Sequence, residues 1–239
     1  MISFDQKALL LDGVDLRFDD VQVFDQFSLA VPKGKITTIV GPSGCGKTSL
    51  LNLLAELLPA DQGTVNTEDE TVGYIFQEDR LLPWETVYQN VRLVRPEENH
   101  EEIMTILRAL ELDGFAHKYP KQLSGGMRQR CSIARGFYYH SSLLLMDEPF
   151  KSLDYDLRLN LVKYLAGLWQ ANGNTIIFVT HDIDEALLLG HQILVLSRRP
   201  SKIAASYERQ SLLEGRSVSD GEHMDLRREI IKQMSMKEV

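Results

Sequence analysis

Basic residues are in the minority in this chain: 26 Lys and Arg stand against 34 Asp and Glu, a formal net charge of −8. A nucleic-acid binder needs a strong basic footprint, so the overall balance argues against one and leaves room only for a local patch. Cysteine is scarce too. Cys45 and Cys131 cannot build a disulfide framework, and the chain reads as cytosolic and reduced. No apolar run approaches the ~20 residues that a membrane-spanning helix needs. The longest, such as Leu143 to Met146 and Ile193 to Leu196, are strand-sized. Met1 to Leu11 lacks the basic, apolar and small-residue zones of a secretory signal. Internal repeats, low-complexity tracts and long flexible linkers are missing as well. What is there, 44% hydrophobic and 25% charged over 239 residues, is an ordinary globular composition. It suffices to bury a substantial core, as one large domain or a domain with a subdomain.

Strand and helix patterns alternate along the chain. Leu9 to Phe18 and Phe27 to Val31 read as short strands around the polar turn at Asp19-Asp20. After the turn Pro32-Lys33-Gly34, Ile36 to Val40 is a buried β-branched strand. It runs into a glycine-rich loop and a helix from Thr48 to Leu58 that stops before Pro59. Gly63 to Val72 reads as a short acidic surface hairpin, and Val72 to Phe76 as a strand. From about 87 to 135 the spacing turns helical, as in Ile103, Ile106, Leu107 and Leu110. Strands return at Leu143 to Met146, Thr175 to Val179 and Ile193 to Leu196, with the helix Tyr155 to Trp169 between the first two. Near the end, Leu226, Ile230, Ile231 and Met234 form one apolar helical face. This alternation predicts an α/β fold with a mostly parallel sheet, interrupted by a helical insertion.

The chemistry begins at Gly41-Pro42-Ser43-Gly44-Cys45-Gly46-Lys47-Thr48, with Ser49 following on the helix. Glycines at these positions let successive N–H groups aim at phosphate oxygens, and the helix that follows turns its positive end to the bound anion. Lys47 would reach the β- and γ-phosphates of ATP, and the Thr48 hydroxyl would ligate Mg²⁺. Leu143 to Met146 then delivers Asp147 to the edge of the sheet, where a carboxylate can orient the metal and its waters. Glu148 follows, placed to polarise the attacking water as general base, a role worth ~10²–10⁴ in rate. Alone, a strand ending in two acids reads equally well as a solvated acidic turn.

Leu123-Ser124-Gly125-Gly126-Met127-Arg128-Gln129-Arg130 resembles the signature of the ATP-binding cassette (ABC) family, and the resemblance extends over nearly the whole chain. It implies a P-loop NTPase (RecA-like) core with an N-terminal antiparallel β-subdomain and an inserted α-helical subdomain. One cassette would fill 1–239, with the core at about 1–86 and 136–205. The helical subdomain would lie at about 87–135 and a C-terminal helical tail at about 206–239. By the same resemblance, Ser124 and Gly126 bind the γ-phosphate of ATP held by the other subunit of a homodimer, and Asp154 communicates across that dimer. Gln77 is expected to contact Mg²⁺ and the attacking water while sensing a membrane partner. His181 is the expected switch histidine at the γ-phosphate, and Phe18 the aromatic residue that stacks on adenine. Lys151-Ser152 departs from the small residue and Ala or Gly usual before Leu153-Asp154.

Leu81-Leu82-Pro83-Trp84 and Leu196-Ser197-Arg198-Arg199-Pro200 resemble the importers for nitrate, sulfonates and taurine, although Ser201 stands where glycine is usual. The resemblance implies an ATPase subunit at the inner face of the cell membrane. Its transmembrane permease subunits would dock near Gln77 and Trp84, with a solute-binding protein acting indirectly and no nucleic acid involved. A soluble cassette acting on DNA or ribosomes, a phosphotransferase sharing only the phosphate loop, and an exporter ATPase are the competing readings. The first fits poorly with one acidic cassette, and the second leaves Leu123 to Arg130 without a purpose.

Overall fold

Runs of buried, largely apolar side chains set the architecture. In the computed structural model, which describes residues 7–67, 70–151, 153–209 and 215–235, four such runs and one half-buried run become parallel strands of one sheet. They are β3 (Ile36–Val40), β5 (Val72–Ile75), β6 (Leu143–Asp147), β7 (Thr175–Val179) and β8 (Gln192–Leu196). The sheet runs in the order β5-β6-β7-β3-β8-β9, where β9 (Ile203–Glu208) is antiparallel to β8 at the edge. A second sheet pairs β1 (Lys7–Phe18) antiparallel with β2 (Val21–Pro32) on one side and β4 (Gln62–Val65) on the other.

The central strands are covered on both faces, which is why they lack polar alternation. Leu144, Met146, Ile176 and Phe178 face one cluster. It includes side chains of α2 (Val87–Arg92), α3 (His100–Ala109), α4 (Gly125–Tyr138) and α5 (Tyr155–Asn172). Their alternates Leu143, Leu145, Ile177 and Val179 face the other, with α1 (Lys47–Leu54) and the antiparallel sheet. Burying each such side chain contributes ~1.5–3 kcal/mol, so a charge at Leu145 or Ile177 would break the sandwich from inside. A third cluster joins Val40, Ile193 and Val195 to α6 (Ile183–Leu189) and α7 (Gly221–Ser235).

Four expectations change. Gly63 to Val72 is not a hairpin, because β4 joins β1 while β5 enters the other sheet; residues 68 and 69 lie outside the described region. Helix α1 ends at Leu54, short of Leu58, where Glu56 takes a positive φ of 55° and breaks the helical path. Strand β9 was not expected, since as an edge strand it is mostly exposed and carries no apolar run. On α7 the buried face holds His223 and Ile230 with Leu226 and Met234 packed nearby, whereas Ile231 is exposed.

Candidate active site

Strand β3 ends at Val40 and the chain turns through Gly41 to Gly46 into α1. Gly46 caps that helix at φ 108° with no side-chain cap, and its backbone lies against β2. A Cβ there would sit 2.6 Å from Val23 Cγ1, so both the dihedral and the space demand glycine. The uncapped first turn leaves the helix's positive end for an anion. Lys47 Nζ folds back onto the loop, donating to the Gly41 carbonyl at 2.9 Å and the Pro42 carbonyl at 3.1 Å. From outside, Arg199 Nε donates to the Gly44 carbonyl, and the buried Ser201 hydroxyl donates to that of Cys45. The 198–201 stretch, noticed in the sequence only as a resemblance, is a buttress for the loop.

Parallel pairing sets Asp147, the last residue of β6, opposite Val179 of β7, whose neighbour β3 leads into the loop. Asp147 is buried, which raises its pKa, while the Thr48 hydroxyl bonded to it and the Lys47 charge oppose that rise. A hydroxyl and a buried carboxylate side by side are hard oxygen donors suited to Mg²⁺. Among the described residues no cluster of three His, Cys, Asp or Glu side chains could hold a metal ion.

Glu148 comes next, with φ at 44°, a left-handed conformation unusual for a non-glycine residue. Its N–H bonds the Val179 carbonyl at 2.9 Å, which fixes the turn. Oε2 lies 2.8 Å from Lys151 Nζ and 3.3 Å from His181 Nδ1. Burial pushes the Glu148 pKa up, but Lys151, His181 and Lys47 together outweigh it and leave the carboxyl below its ordinary value. Lys151, seen in the sequence as a departure, is therefore a partner of this acid; Ser152 beside it lies outside the described residues. His181 is exposed at the end of β7, just before Asp182 caps α6 through the N–H groups of Asp184 and Glu185.

Lys47, Thr48, Asp147, Glu148 and His181 thus gather at adjacent strand ends. Of the other expected residues, Gln77 and Ser49 border this group, and Phe18, Ser124, Gly126 and Asp154 lie on other elements. Phe18 ends β1 with 46% of its surface exposed, a ring presented to solvent. Gln77 is exposed just past β5, and Ser49 lies half-buried in α1. Ser124 caps α4, accepting from the Met127 N–H at 3.3 Å, with Gly126 in the first turn. Asp154 caps α5 through the Leu157 N–H. Trp84 is 68% exposed rather than packed inside. Its loop is held by a residue that drew no attention in the sequence: buried Asn90 bonds both the N–H and the carbonyl of Leu82, and the carbonyls of Glu85 and Thr86.

A family profile described as ABC transporter matches residues 24–151, a span that takes in the phosphate loop, Gln77, the Ser124 helix and the acidic pair. The chain belongs to the ABC transporter family. Like other ABC cassettes it binds and hydrolyses ATP. It is 36% identical over 237 residues to an aliphatic sulfonates import ATP-binding protein of Bacillus cereus, covering 93% of this chain and 94% of that one. Identity to a taurine import ATP-binding protein of Rhizobium johnstonii is 39%, over 79% of this chain and 77% of the relative. Among solved structures, a dimeric ABC transporter cassette superposes with a TM-score of 0.76 at 26% identity, covering 85% of this chain and all of that one. A dimeric post-hydrolysis cassette bound to ADP and Pi gives 0.75 at 26% identity, with the same coverage. The ABC ATPase fold expected from the sequence is therefore the fold observed.

Proposed function

We propose that this cassette is the ATP-hydrolysing subunit of an importer for a small sulfonate-like solute, of the nitrate, sulfonate and taurine group. It would work as a head-to-tail homodimer beneath separate membrane subunits. One observation carries the composite site: Lys47, Asp147, Glu148 and His181 gather at neighbouring strand ends, while Ser124 stands exposed at the head of another helix. The phosphate loop and α1 bind the triphosphate, and Phe18 offers its ring to adenine. Glu148 takes the proton of the attacking water, with His181 beside it. The partner's Ser124 and the partner's Gly126 complete the shell around the γ-phosphate, and the partner's Asp154 contacts the facing copy. Thr48, Asp147 and Gln77 would hold Mg²⁺, which neutralises charge on the β- and γ-phosphates. Dimer closure supplies the ordered electrostatics on which phosphoryl transfer depends.

The membrane side of the reading rests on exposed Gln77 and Trp84. An exposed Trp on a loop pinned by a buried Asn is a good anchor for a permease helix, and a solute-binding protein would act on the permease in turn. No helix among the described residues is long and apolar enough to cross a membrane. Docked beneath the permease subunits of such an importer, it would work peripherally on the cytoplasmic face. The substrate class comes from the relatives at 36–41% identity, which are sulfonate and taurine import proteins.

The test is a pair of variants. Glu148→Gln should keep ATP binding, lose ~10²–10⁴ of turnover and accumulate a nucleotide-bound dimer on gel filtration. Ser124→Arg should stop hydrolysis while single-subunit ATP affinity stays. Near-wild-type turnover in the first, or lost affinity in the second, would overturn the assignment.

A further inference from the structure

Three side chains of α4 reach across to the segment that follows β5. Arg128 Nε donates to Asp79 Oδ2 at 2.9 Å, and its NH1 donates to the Leu123 carbonyl at 3.1 Å. One planar guanidinium therefore spans from a residue just past Gln77 to the residue just before Ser124. Gln129, buried, donates to the Phe76 carbonyl at 3.4 Å and to the Pro149 carbonyl at 3.3 Å. Farther along the helix, Arg135 donates to the carbonyls of Arg80 at 3.0 Å and Asp79 at 3.3 Å. Asp79 Oδ1 in turn accepts from the Leu81 N–H at 3.4 Å. Gln77 itself is exposed, but the backbone on both its flanks hangs on α4.

A guanidinium is the side chain suited to this task, because its donors sit in a fixed plane and its charge does not titrate away. The Asp79 and Arg128 side chains are 30% and 37% exposed, so water screens the pair only in part. The Gln129 bond to Pro149 ties the same helix to the residue that follows Glu148.

We propose that Arg128 is a positioning residue: with Asp79 it splints segment 76–80 to α4, so that Gln77 and Ser124 move as one body relative to the phosphate loop. The proposal rests on the roles given above to Gln77 and Ser124. Its consequence is that a push at the membrane-facing loop reaches Ser124 without slack, and loosening the splint slows assembly of the site without changing how one subunit holds ATP.

The experiment is a double-mutant cycle in the full chain, with Asp79→Ala, Arg128→Ala, the double variant and the charge swap Asp79→Arg with Arg128→Asp. Each single change should lower kcat about fivefold and move KM for ATP less than about twofold, and the double variant should be no slower than the singles. The charge swap should regain about half of the wild-type kcat. Additive losses in the double variant, or a folded swap as slow as the singles, would overturn the proposal. If Arg128→Ala does not fold, Asp79→Asn and Arg128→Gln run the same cycle and are judged by the same criterion. Ser124→Arg, assayed alongside, separates two failures. If it keeps the wild-type rate, the role of Ser124 falls and the splint with it; if it is inactive while the cycle is additive, only the splint falls.

Discussion

Replacing Asn90 tests how the Trp84 loop is built. The side chain is fully buried. Its Oδ1 accepts from the Leu82 N–H at 2.8 Å, while Nδ2 donates to the carbonyls of Leu82 at 3.1 Å and of Glu85 and Thr86 at 3.0 Å each. Asn90→Ala leaves an N–H and up to three carbonyls without this partner. An orphaned buried polar group costs ~1–3 kcal/mol, and some of these carbonyls will recover water, so the net loss is on the order of 3 kcal/mol. In a chain of this size, that lowers the melting temperature by about 6–12 °C. Asn90→Asp sharpens the argument. It keeps the acceptor for Leu82 but sets an anion against three carbonyl oxygens, so it should melt at or below the Ala variant. Calorimetry or circular dichroism, at one protein concentration and one buffer, reads both. An Ala variant within about 2 °C of wild type, or an Asp variant clearly above Ala, would refute the reasoning.

Glu185, behind His181, has its pKa pushed up to about 7, chiefly by burial. The folded state therefore holds that proton more tightly than the unfolded chain. The group's stabilising contribution is complete below about pH 4.5 and is lost as pH rises through about 7. Glu185→Gln should remove this slope, gaining on wild type by an amount on the order of 3 kcal/mol between pH 4.5 and 8 in urea unfolding; a pH-independent difference would contradict it. Gly46→Ala must hold φ near 108° with its Cβ against Val23, so it should lower the melting temperature and drop ATP affinity at least about tenfold in a fluorescent-nucleotide titration. Phe18→Ala should raise KM for ATP about fivefold with kcat unchanged, since an aromatic stack is worth ~1 kcal/mol and this ring is exposed in the free chain.

The strands that carry the site were legible because their burial is two-sided: Ile36 to Val40, Leu143 to Met146 and Thr175 to Val179 are runs that no half-exposed strand would show. The phosphate loop was legible because its chemistry is local. What escaped was built from polar residues acting across the chain. Strand β9 alternates between exposed and half-exposed positions, and its existence depends on β8 beside it. Asn90 sits in an amphipathic helix with nothing in its neighbours to announce four hydrogen bonds to a loop. Lys151 looked like an irregularity because its partner Glu148 is reached through a side-chain conformation, which spacing does not encode. Arg128 lay inside a recognised segment, yet its bond to Asp79 joins residues 49 positions apart.

The order β6-β7-β3 in the main sheet makes it a ruler. Neighbouring strands lie ~4.8 Å apart, so the acids at the end of β6 and the loop at the end of β3 are held roughly 10 Å from each other with β7 and His181 between. That gap is set by the peptide hydrogen bonds of the three strands, and the Thr48–Asp147 bond spans it. Nearly a hundred residues of chain separate Lys47 from Asp147, and whatever that insert does, it cannot change the calibration. The interval measured out for the terminal phosphates thus stays constant.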